Sequence, residues 1–400
     1  MRLPLTMNPM DSTPRSLVRD FSLSAVAAGF VTVLVGFASS AVIVFQAAQS
    51  LGASPEQISS WIWALGMGMG VTCLALSLHY RMPVVTAWST PGAAMLISSA
   101  AGLPLSDAIG AFMLSALLIA VAGFSGFFER MISRIPVSLA SGMLAGVLLR
   151  FGLDVFVAMQ TQLLMALCMF AVYLLARRLL PRYAVIATLL VGIAIAAGQG
   201  LLQLGELRLE FARPIFLMPS FSLAAVFGIA LPLFVVTMAS QNVPGVAVIR
   251  ASGYEIPISP VVGWTGVANL VLAPFGAFAL NLAAITAAIC MGREAHEDPR
   301  RRYVAAMAAG FFYLLVGLFG ATVAALFAAF PKELVMAIAG IALFGTIGNS
   351  LAAALRETAD REPALITFLV TASGLSMAGI GSAFWGLVAG VLAMWVWRVK

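Results

Sequence analysis

Charge is what this sequence has least of. Only 10% of its 400 residues are Asp, Glu, Lys or Arg, against 62% hydrophobic ones, whereas a water-soluble globular domain carries roughly 25% charged residues. That shortage excludes a soluble enzyme. The net charge of +6 does not suggest a nucleic-acid partner, because the basic residues sit in short breaks between apolar runs rather than on one solvated face. Cysteine is scarce too: Cys73, Cys168 and Cys290 lie far apart inside apolar runs, without the spacing of a metal site or a disulfide framework, and packing is their expected role. There is no HExxH, no pair of carboxylates inside an apolar run and no Ser/His arrangement, so the motifs of an intramembrane enzyme are missing and no cofactor is implied.

What is present is grease with a period. Apolar runs of about 20 residues, the length that crosses a ~30 Å hydrocarbon core, recur from Ser22 to the C-terminus. The mean hydropathy is +1.04. The first run is too long for a signal peptide and is expected to stay as a membrane helix. Windows between charged or Pro/Gly-rich breaks place helices near 22–49, 56–79, 84–101, 105–127, 136–153, 158–179 and 183–203. After a polar connector they resume near 222–249, 258–275, 277–291, 303–329, 332–355, 363–376 and 378–397. The expected fold is therefore an all-α polytopic membrane protein with 14 transmembrane segments.

With both termini in the cytoplasm, 18 of the 22 Lys and Arg residues fall on the inner side and Arg150, Arg208, Arg213 and Lys332 remain outside. This is the asymmetry of a multi-pass protein in a bacterial-type inner (plasma) membrane. Arg300-Arg301-Arg302 fits an inner-leaflet anchor, and Trp395 and Trp397 fit an interfacial belt.

The two halves echo each other. Ala47-Ala48-Gln49-Ser50 corresponds to Ala239-Ser240-Gln241-Asn242, Trp88 to Ala94 corresponds to the region of Leu280 to Ala284, and Pro136 corresponds to Pro331. Odd numbers of spans per repeat make the second copy inverted. The expected organisation is a cytoplasmic segment 1–21, repeat 1 at 22–203, a connector 204–221 and repeat 2 at 222–398.

Segments 3 and 10 are short and open with helix-breaking residues: Pro83, Ser89, Thr90, Pro91 and Gly92 in one, Pro274, Gly276 and Asn281 in the other. Each reads as an extended piece followed by a half-helix, a shape tolerated at membrane depth only where it is buried or lines a cavity. Two half-helix N-termini facing each other would make a site for an anion. Candidate substrate-binding residues are Gln49, Ser89, Thr90, Pro91, Gly92, Gln241, Phe278, Asn281, Leu282 and Ala283. For the amides the competing role is polar glue between helices, and for Asn281, Ser89 and Thr90 it is helix capping. Phe45, Phe275 and Phe278 are positioned to hold an aromatic ring. Gly66-Met67-Gly68-Met69-Gly70 lies within a span and reads as close helix packing rather than a nucleotide loop.

At Gln241 to Val248, Pro274 to Cys290 and the following Gly292-Arg293-Glu294-Ala295-His296, the sequence resembles the BenE family of benzoate/proton symporters, within the fold group of nucleobase and sulfate-type transporters. The resemblance covers roughly residues 20–398. It implies seven-plus-seven inverted repeats, a core domain of helices 1–4 and 8–11, and a gate domain of helices 5–7 and 12–14, with substrate between helices 1, 3, 8 and 10. It also implies import of benzoate or a related aromatic carboxylate with proton symport, and leaves room for a homodimer. The alternatives are a carrier for another small organic anion or nucleobase, or an anion channel. Nucleobase members of the fold group carry acidic residues where this chain has Gln241 and Asn281, and an amide donates to a carboxylate where an acid would repel it. All 16 acidic residues fall in the expected loops or span ends. A proton relay would then run through the protonated substrate or a loop-edge group such as Glu129 or Glu255.

Overall fold

In the computed structural model, residues 20–99, 103–132, 135–180, 183–202, 211–320, 322, 330–375, 377 and 381–398 are described. Among them, seven helices are long and apolar enough to cross a membrane, and three further apolar helices are shorter. Their outward side chains are greasy: Leu163, Leu164, Leu175, Phe227 and Trp395 are all exposed. Lipid is the solvent for such a surface. The chain is a mostly helical, polytopic membrane protein.

The first half contains α1 (Leu23–Ser50), α2 (Pro55–Tyr80), a short strand β1 (Thr86–Trp88), α3 (Thr90–Ser99), α4 (Leu105–Phe124), α5 (Val137–Thr161), α6 (Leu163–Leu179) and α7 (Ala184–Gly198). The second contains α8 (Leu223–Ala251), α9 (Ile258–Leu272), β2 (Leu280–Leu282), α10 (Ile285–Met291), α11 (Tyr303–Leu318), α12 (Lys332–Ala354), α13 (Arg361–Ala372) and α14 (Ser382–Arg398).

Packing divides these elements. Helices α1, α2 and α11 pack on one another, α4 packs on α9, and α3 and α10 pack on α1. Separately, α12 and α13 pack on α5, α13 on α14, and α6 on α7 and α12. Close approach is what glycine permits here: a Cβ on Gly66 would lie 2.6 Å from Gly317 Cα, so α2 and α11 touch backbone to backbone. The Gly66 to Gly70 run is thus a packing face, as its position within a span implied. Pro136 and Pro331, matched in the sequence, are the N-cap residues of α5 and α12, which pack together.

One boundary differs from expectation. The break placed after residue 153 lies instead at Gln162, and α5 runs through Asp154 to Thr161. Asp154 is therefore an acidic residue within a helix, not in a loop; a charge near one end of a long helix was read as a break. The expected span 303–329 is described as α11 only to Leu318, and residues 321 and 323–329 lie outside the described set, as do 203–210 of the connector and 378–380 at the start of the last span. The described part of the connector is extended and tied down: Ile215 N–H donates to Ser60 Oγ (2.9 Å), Leu217 N–H to the Pro274 carbonyl (2.8 Å) and Ser220 N–H to the Ser106 carbonyl (3.0 Å).

Candidate substrate-binding site

β1 and β2 come from opposite halves of the chain and pair antiparallel, Thr86 with Leu282, Ala87 with Asn281 and Trp88 with Leu280. Flanking bonds extend the ladder, Ser89 N–H to the Ala279 carbonyl (3.2 Å) and Ala283 N–H to the Val85 carbonyl (2.9 Å). Non-helical backbone at membrane depth must find partners within the protein, and here each strand serves the other. Side chains complete the work. Ser77 Oγ bridges the Val84 N–H and carbonyl, both at 3.0 Å, and Cys73 Sγ accepts the Thr86 N–H at 3.2 Å. On the other side, Asn242 Oδ1 accepts the Leu282 N–H at 2.9 Å. At Gly276, which leads from α9 towards β2, φ is +103°, and an added Cβ would overlap the Trp61 ring. Glycine is required there on both counts.

Each strand runs into a half-helix, β1 into α3 and β2 into α10, as the Pro, Gly and Asn clusters implied. Between these junctions, α1 and α8 lies a cavity of about 320 Å³, within the roughly 300–1,000 Å³ range of small-molecule sites. Trp88, Thr90, Pro91 and Ala87 line it from the first junction, and Ala283, Ala284, Ile285 and Thr286 from the second. Val35, Gly36 and Ser40 of α1, Met69 of α2, Phe151 of α5, Gln241 of α8 and Tyr313 of α11 complete the wall. No lining residue is ionisable in the neutral pH range. The polar groups are the hydroxyls of Ser40, Thr90, Thr286 and Tyr313 and the Gln241 amide, and the aromatic ones are Trp88, Phe151 and Tyr313.

The wall is held rigid by a short chain of bonds. Trp88 Nε1 donates to Ser40 Oγ (2.8 Å), which in turn donates to the Gly36 carbonyl (2.8 Å). Phe37 meets the Trp88 ring edge-on with centroids 5.7 Å apart. Gln241 faces the cavity from a π-helical turn, Met238–Asn242, just ahead of Pro244; a second such turn, Val226–Ala230, precedes Pro232. Proline removes one rung of the helical ladder and clashes with the carbonyl four residues back, and the ladder is rewritten there with the wider spacing often found at functional sites. The result presents Gln241 to the cavity while Asn242 holds β2.

Of the ten residues expected at the site, Thr90, Pro91, Gln241 and Ala283 line the cavity. Ser89 stands behind it, fully buried, with its Oγ accepting the Gly92 N–H at 3.1 Å as a cap of α3. Gly92 packs tightly against Ser89 and Leu233. Asn281 is buried within β2, Nδ2 donating to the Leu282 carbonyl (2.9 Å), and Leu282 is buried beside it. These residues build the wall without facing the lumen. Two expected residues lie elsewhere. Gln49 is exposed in the last turn of α1, because α1 runs on unbroken past the level of the strands. Phe278 is buried against Trp61 and Phe112, with ring centroids 6.0 and 6.3 Å away, and Phe275 packs on Trp63 and Phe216 instead. The aromatic residues of the cavity wall are Trp88, Phe151 and Tyr313.

The half-helix starts are unequal as anion sites. In α3, Pro91 has no N–H and that of Gly92 is already bonded to Ser89, so little donor capacity is left. In α10, no side chain caps the first turn, and the Thr286 and Tyr313 side chains both line the cavity beside it. The polar end of the cavity is therefore the α10 side.

Comparison with known proteins identifies relatives along nearly the whole chain. An inner membrane protein of Escherichia coli K12, YdcO, is 50% identical over 363 residues, covering 91% of this chain and 93% of its own length. A benzoate membrane transport protein of Acinetobacter baylyi is 41% identical over 387 residues, covering 97% and 98%. Among solved structures, SLC26A9 shares the fold at a TM-score of 0.51 and 12% identity, with 96% of this chain matched to 66% of that longer one. The family model of benzoate membrane transport proteins matches residues 19–396, and the chain belongs to that family, BenE, whose members are membrane transporters rather than enzymes.

Proposed function

We propose that the protein imports benzoate or a closely related aromatic carboxylate across the bacterial inner membrane, with a proton, by moving a core domain (α1–α4 and α8–α11) against a gate domain (α5–α7 and α12–α14). The observation that carries this reading is the cavity itself: aromatic walls and neutral donors, closed between two strand-to-helix junctions, in a chain of this family. A benzene ring finds Trp88, Phe151 and Tyr313. A carboxylate finds the Gln241 amide and the hydroxyls of Thr286 and Tyr313, donors that add no competing negative charge. The chemistry is that of partial charges and hydrogen bonds in a site walled largely by apolar side chains, where each counts for more than in water.

The two packing groups support the division into core and gate, which meet chiefly where α8 packs on α5 and where α1 and α10 reach α12. Strands contributed by both halves, and the matched N-cap prolines, support fourteen segments in two inverted repeats with both termini cytoplasmic. Because no lining residue titrates near neutral pH, the coupled proton is held by the substrate or by a group outside the wall. Glu129 is poorly suited to that task. Burial raises its carboxyl pKa, but the side chain and N–H of Ser259, the N–H of Ile258 and the charge of Arg250 outweigh it and hold the group below its ordinary value.

The test is uptake of labelled benzoate into proteoliposomes, with and without an inward proton gradient. Saturable uptake, accelerated by the gradient, is expected. Absence of saturable uptake under both conditions refutes the reading.

A further inference from the structure

Glu294 lies just beyond the end of α10, in the loop leading to α11. That loop belongs to the core rigidly. Arg302, buried at the start of α11, donates to the carbonyls of Met291 (2.8 Å), His296 (2.7 Å) and Glu297 (3.4 Å), so the backbone around Glu294 moves with α10 and α11.

Its side chain leaves that body. Oε1 accepts from Arg177 Nη1 at 3.0 Å, on the last turn of α6. It also settles over α12 at Gly345, where an added Cβ would lie 2.5 Å from the same oxygen. Both α6 and α12 belong to the other packing group. The Glu294 side chain is 9% exposed, yet Oε2 is buried with no hydrogen-bond partner, the only carboxylate oxygen so placed among the described residues. Asp20 shows the contrast: equally buried, it accepts from Tyr303 (2.8 Å) and pairs with Arg301 (3.5 Å), using both oxygens within the core.

A buried ion pair is stable when both partners are fully satisfied, and costly when they are not. Glu294 pairs with one cation that is itself 46% exposed, and half its acceptor capacity is unused. The contact is strong enough to close and too incomplete to be permanent. It also sits at the far end of α10, whose first residues line the cavity; seven helical residues make a strut about 10 Å long at 1.5 Å per residue.

We propose that Glu294 is a positioning residue of the transport cycle, an ion-pair latch that fastens the loop after α10 to α6 and α12 at one mouth of the cavity and must release for that mouth to open. The proposal rests on the core-against-gate reading above. Loss of the pair biases the protein towards the state open at that mouth, leaving the cavity wall unchanged.

The primary readout needs no substrate. In a Cys168→Ser background, a cysteine replacing Thr346, which packs near Gly292 beside the latch, is labelled with a membrane-impermeant maleimide in vesicles of the orientation that exposes this face. Glu294→Gln and Arg177→Gln should each raise the labelling rate about threefold or more, the double variant should add nothing further, and the exchange Arg177→Glu with Glu294→Arg should return it towards the parent. Benzoate affinity should stay within about twofold. Unchanged labelling in both single variants, or equal and additive effects in the double variant, overturns the latch. A parent protein that fails to take up benzoate while showing the labelling pattern would sink the substrate reading and leave the latch standing.

Discussion

Asn242 is the residue on which the cavity's second strand most depends. Its Oδ1 takes the Leu282 N–H at 2.9 Å, and both residues are fully buried. Asn242→Ala removes the acceptor and leaves the Leu282 N–H unpaired in a fully buried position. Leaving a buried amide N–H unpaired costs about 1–3 kcal/mol. That cost falls on the arrangement in which β2 holds Ala283 to Thr286 against the cavity, so the half-saturation for benzoate should rise about 5- to 150-fold, the equivalent of the same energy. Melting of the detergent-purified protein should shift downwards in parallel. The control is Gln49→Ala, the first-half counterpart of the neighbouring Gln241, which is exposed and should change neither quantity. Uptake kinetics and melting together decide the matter: an Asn242→Ala protein with parental half-saturation and parental melting would refute the assignment of β2 to the site.

Two further outcomes follow from contacts away from the cavity. Gly66→Leu places a side chain where α2 and α11 meet backbone to backbone, and overpacking of that kind costs about 1–3 kcal/mol; thermal melting should fall, and an unchanged melting temperature would show that the two helices can separate at no cost. Glu129 stabilises the fold through a carboxyl whose pKa is lowered in the native state. Its contribution is therefore complete above the ordinary value of 4.5 and lost as pH falls through the lowered one, so Glu129→Gln should lower melting at pH 7 and flatten its dependence on the acid side of that ordinary value. A parallel pH profile in the two proteins would contradict this.

Much of the architecture was legible because a bilayer imposes a simple rule. Long apolar runs must be helices, and polar or helix-breaking clusters inside them, such as Ser89 to Gly92 and Pro274 to Asn281, must be places where backbone is satisfied some other way. The two strand-to-helix junctions follow from that rule alone. What it does not supply is the direction of a side chain. Ser89 and Asn281 lie beside the cavity as framework, capping α3 and lying within β2, and only their neighbours face the lumen. Phe278 was chosen for its ring and faces Trp61 instead. Tyr313, Ser40 and Phe151 were missed because they lie on α11, α1 and α5, brought to the cavity by packing between elements remote in sequence. A polar hydroxyl in an otherwise apolar span was the available signal for Tyr313. Asp154 was misplaced because its charge resembled a loop, whereas a helix as long as α5 accommodates it near one end.

The most direct measurement of the central claim is photolabelling with 4-azidobenzoate, followed by peptide mapping. The account predicts that label, displaced by excess benzoate, falls on residues of the wall: Trp88, Phe151, Gln241, Thr286 or Tyr313. Displaceable label confined to residues outside the two strand-to-helix junctions and the helices that face them would contradict it.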